Sequence, residues 1–258
     1  MPRAIFRAAQ AMSDARQTIK TFCKFARTEF VRRGVQVFDK PLRQLFEHKG
    51  KRLVVKPSAT HNQEELARMA LKFPHCGKQV SLEHCLEPFG GTSLLHIPGA
   101  KLLIAVQFKD AAAEILGIAI VTNLTAVVIE PRFEKRLIAA GVNLPERGLW
   151  LELICAKPKT QGATCLLFHL MNSLGGTKEC IWSNPIGASS RTLLYERHNW
   201  DQVVEGWDVI ARLTKQRAAA NCKNGPLLTG LLPGFETSQR LCTRGGIKNP
   251  EKTYYECR

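Results

Sequence analysis

The chain has no long apolar run. Its longest apolar stretch is ILGIAIV at residues 115–121, whereas a membrane-spanning helix needs about 20 consecutive apolar residues. A run of this length is typical of a buried strand. The sequence therefore predicts no transmembrane segment.

The N-terminus also lacks the apolar block of a secretory signal. Residues 1–27 carry six Arg or Lys and one acid, Asp14, and their apolar residues recur at helical spacing. An Arg-rich, acid-poor amphipathic start is typical of organelle transit peptides. The alternative is a basic helix that packs on the domain or stays solvated.

The nine cysteines do not form any Cys-x-x-Cys pair, and their number is odd. Several lie in predicted core segments, so we expect free buried thiols in a reducing compartment, cytoplasm or nucleus, with organelle import as the alternative. The pairs His75-Cys76 and His84-Cys85 are not completed to a tetrahedral set at usual zinc spacing. The sequence predicts no metal site.

Acidic residues are scarce at both ends of the chain. Residues 1–56 hold 14 Lys/Arg and 4 Asp/Glu, residues 215–258 hold 8 and 3, and residues 57–214 hold 15 of each. This distribution predicts a basic N-terminal extension at 1–50, a neutral domain at 51–214 and a basic Gly/Pro-rich tail at 215–258. We expect residues 1–30 and 215–258 to be dispensable for the core fold, with the basic ends able to contact nucleic acid or another anionic surface.

Apolar periodicity in the middle of the chain alternates between strand and helix. Strands are predicted at 51–59, 101–109, 114–123, 148–156, 177–184 and 206–215, and helices at 61–73, 132–142, 163–174 and 186–200. The strand at 148–156 is almost continuously apolar, which predicts a central strand buried on both faces. Together with the helix and strand that follow, it predicts a right-handed βαβ unit. The fold class is α/β or α+β, with one mixed central sheet flanked by helices.

The turn KPKTQGAT at residues 157–164 joins this central strand to its helix. A helix N-terminus has free backbone N–H groups and a positive dipole end, so it holds anions readily. The turn lacks the Gly-Lys-Ser/Thr of a P-loop and the glycines of a dinucleotide fingerprint. Phosphate binding and an ordinary tight turn both stay open on this evidence.

This turn and the stretch from Asn184 to Trp200 together resemble the acyl-CoA-binding core of the GNAT superfamily of acyltransferases, over roughly residues 51–214. In that family the central strand leads into a loop of pattern Arg/Gln-x-x-Gly-x-Gly/Ala. Here Lys159, Gly162 and Thr164 occupy the patterned positions. The family's Asn-x-x-Ala and Leu-Tyr-Glu-x-x-Gly-Phe correspond to Asn184…Ala188 and to Leu194-Tyr195-Glu196, with Asn199-Trp200 in place of Gly-Phe.

The resemblance implies a divergent GNAT member that transfers an acetyl group from acetyl-CoA to an amine by direct attack. It implies that the backbone at Ile154 and Cys155 contacts the thioester carbonyl. It also implies that Tyr195 donates a proton to the departing thiolate. The remaining residues that it implies for CoA binding are Lys159, Thr160, Gln161, Gly162, Ala163, Thr164 and Asn184.

The candidate base is Glu152, the lone acid inside the apolar strand, with Glu114 as second choice. Burial would raise the pKa of Glu152 toward a useful range. The structural alternatives are a Glu152 that faces solvent or is hydrogen-bonded under a helix, and a buried Tyr195 that packs the last helix. The alternative functions are a non-catalytic protein with the GNAT fold and a basic nucleic-acid-binding or interaction protein.

Overall fold

A computed structural model describes most of the N-terminal half of the chain and the core of the C-terminal half. The described residues are 2–50, 52–58, 60–73, 82, 86, 94–109, 112–123, 135, 138–139, 148–157, 160–174, 180–183, 198–204 and 210–224. Most of the predicted helix at 132–142, nearly all of the predicted helix at 186–200 and the His-Cys pairs lie outside these residues. Within 132–142, the described residues Lys135, Ile138 and Ala139 are helical.

Apart from the short 3-10 helix at Leu94–His96, the helices whose bounds lie within the described residues are α1 to α5. Their bounds are α1 Pro2–Arg32, α2 Leu42–Leu45, α3 His61–Leu71, α4 Gly162–Leu174 and α5 Lys215–Asn224. The strands are β1 Val35–Pro41, β2 Phe46–Lys49, β3 Arg52–Val55, β4 Lys101–Lys109, β5 Ala112–Asn123, β6 Gly148–Ala156, β7 Cys180–Ser183, β8 Asp201–Val204 and β9 Ile210–Thr214.

Seven of these strands form one mixed sheet in the order β1-β4-β5-β6-β7-β9-β8. All neighbouring pairs are antiparallel except β6 and β7, which are parallel. A parallel pair needs a crossover connection, and the chain between β6 and β7 contains α4. The predicted hairpin, central strand and βαβ unit are confirmed, as is the mixed sheet flanked by helices.

Two separate clusters of buried side chains cover the two faces of the sheet. Leu151 and Ile154 of β6 belong to the cluster that includes α1, α4 and α5. Leu153 and Cys155 belong to the cluster on the other face, which includes α3. Strand β6 is therefore apolar toward both faces, which explains why its sequence does not alternate.

Helix α1 is part of this core. Ile19 and Ala26 are fully buried, and the rings of Phe22 and Phe30 lie 5.4 and 5.9 Å from the ring of Phe168 on α4. Strand β1 pairs along its whole length with β4. The structure thus differs from the predicted boundary at residue 51, because α1 and β1 belong to the same core as the rest of the sheet.

The C-terminal boundary differs as well. Helix α5 begins at Lys215, where the sequence predicted the start of a tail, and Ala218, Ala219 and Cys222 are buried in the cluster that contains α1. Net charge misplaced both boundaries because the charged residues of an amphipathic helix occupy one face while the other face packs. Residues 225–258 lie outside the described part.

Three of the cysteines agree with the prediction of free buried thiols. Cys23, Cys165 and Cys222 are free, and burial raises the pKa of each thiol to about 12. Cys155 is disulfide-bonded, so the prediction is wrong for that residue.

Candidate active site

The parallel pairing of β6 and β7 stops halfway along β6. The register runs from Gly148 opposite Cys180 to Leu151 opposite Ser183, where β7 ends. Strand β6 continues to Ala156 and keeps its pairing with β5 on the other side. Among the described strands, the second half of β6 therefore has a neighbour on one side only.

A β-bulge lies at the point where the pairing with β7 ends. Ile120 of β5 pairs with Leu153 and Val121 pairs with Leu151, so Glu152 is the extra residue on β6. Bulges bend a strand and redirect its side chains, and they are over-represented beside active sites. The bulge also explains why Leu151 and Ile154, three residues apart, face the same cluster.

The alternation of the antiparallel ladder distinguishes Ile154 from Cys155. The Lys157 amide donates to the Leu116 carbonyl at 2.7 Å. The next pair in which both residues are two positions away is Cys155 opposite Ile118. In an antiparallel pair every second residue directs its N–H and C=O toward the partner strand. The backbone of Cys155 therefore faces β5, whereas that of Ile154 faces the other side, where none of the described strands pairs with it. Of the two predicted backbone contacts, only Ile154 has this orientation.

Helix α4 begins directly over β5. A Cβ on Gly162 would lie 2.2 Å from the Leu116 carbonyl oxygen, and one on Gly117 would lie 2.9 Å from the Cys155 carbonyl oxygen. Real Cβ atoms do not approach backbone atoms this closely, so both positions require glycine. The predicted start of the helix within two residues of Gly162 is confirmed. The structure gives this glycine a reason other than the approach of a phosphate, because its missing side chain leaves room for the Leu116 carbonyl.

The turn before α4 is closed by Thr160. Its hydroxyl donates to the Lys157 carbonyl at 2.7 Å and accepts from the Gly162 amide at 3.3 Å. The first backbone bond of the helix runs from the Cys165 amide to the Gln161 carbonyl at 2.9 Å. Within the described part of the chain, the amides of Gln161, Ala163 and Thr164 have no acceptor. Those of Ala163 and Thr164 belong to the first turn of α4, so they can donate to an anion at the helix start.

Lys157, at the start of this turn, forms an ion pair with Glu114. The hydrogen bond from Lys157 lowers the pKa of Glu114, and the charges of Lys157 and Lys109 lower it further. A carboxylate with a lowered pKa is a weak base, so Glu114 is poorly suited to take a proton from an amine.

Glu152 is the exposed residue of β6. Neighbouring protein atoms raise the pKa of its carboxyl group by desolvation, and a hydrogen bond with the side chain of Trp150 partly offsets this. Because the side chain as a whole reaches solvent, water screens part of the desolvation. Glu152 thus lies at the bulge with a raised pKa and access to water.

The turn before β8 contains Asn199 and Trp200, which the predicted resemblance aligns with Gly-Phe. Asn199 has a φ of 51°, a left-handed conformation that asparagine adopts more readily than most residues after glycine. Trp200 is buried in the cluster with α1 and α4. Helix α5 holds the turn, since Arg217 donates to the Asn199 carbonyl at 2.7 Å and Asn221 donates to the His198 carbonyl at 2.8 Å.

Most of the predicted site residues lie along the end of β6, the turn after it and the start of α4. They are Glu152, Ile154, Cys155, Thr160, Gln161, Gly162, Ala163 and Thr164. Lys159, Asn184 and Tyr195 lie outside the described residues. Sequence reasoning missed Leu116 and Gly117, because nothing in a strand sequence marks the residues on which another helix begins.

The described residues contain no group of three or more His, Cys, Asp or Glu side chains arranged to hold a metal ion. None of their helices combines the length and apolar character needed to cross a membrane.

No family model and no curated protein matches the chain. Solved structures that match include AtaTR bound with AcCoA (10% identity, TM-score 0.36, 72% of this chain and 97% of that one). A tyrosine-to-phenylalanine mutant of KacT matches with the same identity, TM-score and share of this chain, and with 98% of its own length.

A third match is the histone acetyltransferase HPA2 and related acetyltransferase from Corynebacterium glutamicum, at 16% identity and a TM-score of 0.29 over 45% of this chain and 64% of that one. Because the TM-scores are below 0.5, the function proposed below rests on this chain's own sheet and side chains.

Proposed function

We propose that the chain is an acyl-CoA-dependent N-acyltransferase that transfers an acetyl group from acetyl-CoA to an amine. The observation that carries the proposal is the length of β6 beyond Leu151, which has no partner on the β7 side among the described strands. The pairing with β7 stops at Leu151 and Ser183 while β6 continues to Ala156, and we call this side of the strand the opening beside β6. The bulge at Glu152 and the start of α4 lie at the two ends of this free length.

In this proposal the free edge of β6 holds the acyl group and the start of α4 holds the CoA pyrophosphate. The Ile154 amide donates to the thioester carbonyl oxygen, where negative charge develops during attack. The amides of Ala163 and Thr164 donate to the phosphates, assisted by the helix dipole. Lys159 and Asn184 complete the proposed cofactor contacts.

The reaction is a direct displacement at the thioester carbonyl. The neutral amine forms the new C–N bond, the C–S bond breaks, and the CoA sulfur leaves as a thiolate. Glu152 accepts the proton of the amine, directly or through one water, and Tyr195 donates a proton to the thiolate. The raised pKa of Glu152 makes it a stronger base than an ordinary glutamate, and its exposure gives it access to an incoming amine.

Substitutions of Thr164 test the phosphate contact without disturbing the sheet. Thr164 is half-buried in the first turn of α4, whereas Gly162 is packed against Leu116. Gly162→Asp is therefore unsuitable, because it would damage folding as well as binding. Thr164→Asp places a carboxylate beside the proposed phosphate, and Thr164→Asn is the uncharged control of the same shape.

Like charges about 4 Å apart near a protein surface repel by about 4 kcal/mol, nearly a thousandfold in affinity. We expect calorimetric affinity for acetyl-CoA to fall by about this factor in Thr164→Asp and by less than about tenfold in Thr164→Asn. The melting temperature of Thr164→Asp should not fall, since a negative charge in a first helical turn is favourable. Equal binding by the two variants, or no binding by the parent, would contradict the proposal.

A turnover assay distinguishes the enzyme from a non-catalytic protein of the same fold. The protein is incubated with acetyl-CoA and each of a panel of primary amines, and the release of free CoA is followed with a thiol reagent. Release that depends on an added amine supports transfer. Tight acetyl-CoA binding with no release for any amine supports the non-catalytic alternative.

A further inference from the structure

The solvent-facing side of α1 carries a row of cations that the proposed acyl transfer does not use. Arg16, Lys20, Lys24 and Arg27 are all exposed and follow one another at intervals of four, four and three residues. These intervals place them on one side of a helix, along roughly 16 Å of its axis at about 1.5 Å per residue. We call these four residues the α1 basic row.

No acidic side chain neutralises the α1 basic row within the described part of the chain. None of its members forms an ion pair there. None has an acid three or four residues away on the helix, and Glu29 is paired with Arg32. Like charges at these intervals destabilise a helix, so the row is a surface whose repulsion an anionic partner would relieve.

The opposite face of α1 is fixed in the core. Ile19 and Ala26 are fully buried and Phe30 is 4% exposed, so the helix cannot turn its apolar face to another partner. A helix that lies in a membrane interface needs that face free to enter the lipid. The packing of α1 therefore argues against a membrane and for a partner that meets a fixed row of charges from outside.

We propose that the α1 basic row binds the sugar–phosphate backbone of a nucleic acid. Four aligned cations on a rigid helix match the row of phosphates along a strand, and Gln17 and Thr21, also exposed, stand on the flank of the row. Glutamine and threonine side chains are common donors to phosphate oxygens. Such a contact depends on the charge and shape of the nucleic acid and not on its base sequence.

Fluorescence anisotropy with the full chain tests this proposal. The probes are labelled 20-base-pair duplex DNA, duplex RNA of the same sequence and the single DNA strand, each titrated between about 50 and 200 mM salt. Four phosphate contacts on duplex DNA give a slope of about −3.6 in log affinity against log salt, or a loss of about 150-fold over this range. The relative affinities of the three probes show which kind of nucleic acid fits the row.

The matched variants remove equal charge from two places. The row variant carries Gln at all four positions of the α1 basic row. The control carries Gln at four exposed cations on other elements, namely Arg43, Arg52, Lys72 and Lys109. We expect the row variant to lose about a hundredfold in affinity at low salt and most of its salt slope. The control should remain within about threefold of the parent.

Several outcomes would overturn the proposal. They are no binding by the parent, unchanged binding by the row variant, and equal losses in the row variant and the control, which would indicate net charge alone. Vesicles with about one-third phosphatidylserine form a separate arm. If only vesicle binding depends on the row, its partner is a lipid surface. Should the row variant melt early, the single variants Lys20→Gln and Arg27→Gln must each reduce the salt slope by about 0.9.

Discussion

Replacing Gly162 with alanine tests how closely α4 begins against the sheet. The new Cβ would lie 2.2 Å from the Leu116 carbonyl oxygen and 2.5 Å from its carbonyl carbon. That oxygen accepts the Lys157 amide at 2.7 Å, so it cannot turn away without loss of the bond that ends the β5–β6 ladder. The helix must therefore shift outward until the atoms reach ordinary contact at about 3.5–4 Å.

The expected sign is opposite to that of an ordinary helical glycine. Alanine normally stabilises a helix by about 0.5–1 kcal/mol relative to glycine. Overpacking of a close contact costs about 1–3 kcal/mol. We expect a net loss of about 1–2 kcal/mol in the free energy of unfolding, or a decrease of about 2–8 °C in Tm.

Urea unfolding followed by circular dichroism measures this loss. The midpoint should fall while the slope with denaturant stays constant, because the same surface is exposed on unfolding. Thr164→Ala is the matched control in the same helical turn, and it should stay within about 0.5 kcal/mol of the parent. If Gly162→Ala proved as stable as the parent or more so, the close start of α4 on β5 would be wrong.

Three further predictions concern the core and the base. Asp39→Asn should reduce stability at neutral pH by about 1–2 kcal/mol. Burial raises the pKa of Asp39, but hydrogen bonds from His169 and Lys101 lower it overall, so this stabilisation should be present above about pH 4 and lost on acidification. An unchanged acid limb in pH-dependent urea melts would count against it. Deletion of residues 1–33 should abolish cooperative melting, since it removes Ile19, Phe22 and Phe30 from the core, and a sharp transition in the shortened chain would refute this. Glu152→Gln should slow amine-dependent CoA release and remove the acidic limb of its pH profile, which its raised pKa places above the range of an ordinary glutamate; a retained limb would assign the base elsewhere.

The sheet was predictable from the sequence where periodicity was strong. The apolar runs at 101–109, 114–123 and 148–156 correspond to β4, β5 and β6, and the leucines after Gly162 correspond to α4. These segments are long and buried, so burial and local propensity agree. The parallel pairing of β6 and β7 followed from the helix between them.

The place of α1 and β1 in the core could not be inferred from charge. The basic residues of α1 suggested an extension, yet Ile19, Ala26 and Phe30 on its other face are buried. Strand β1 includes Asp39, whose polar side chain obscures strand periodicity but joins Lys101 and His169 in the structure. Both features depend on contacts with residues more than 60 positions away.

The candidate site was predictable in its position and not in its detail. The turn after β6 was identified from Gly162, but the role of that glycine depends on the Leu116 carbonyl, 46 residues earlier in the chain. The bulge that sets Glu152 apart also depends on pairing register, which a strand's own sequence does not specify. Orientation of the Ile154 backbone follows from that register.

Hydrogen exchange in the presence and absence of acetyl-CoA tests the central claim most directly. If the opening beside β6 holds the acyl group and the start of α4 holds the pyrophosphate, saturating acetyl-CoA should slow exchange at the amides of Ile154, Ala163 and Thr164. The amides of α3, on the opposite face of the sheet, should be unaffected and serve as the internal reference. Unchanged exchange at all three amides, or protection confined to another part of the chain, would contradict the proposed acyl-CoA site.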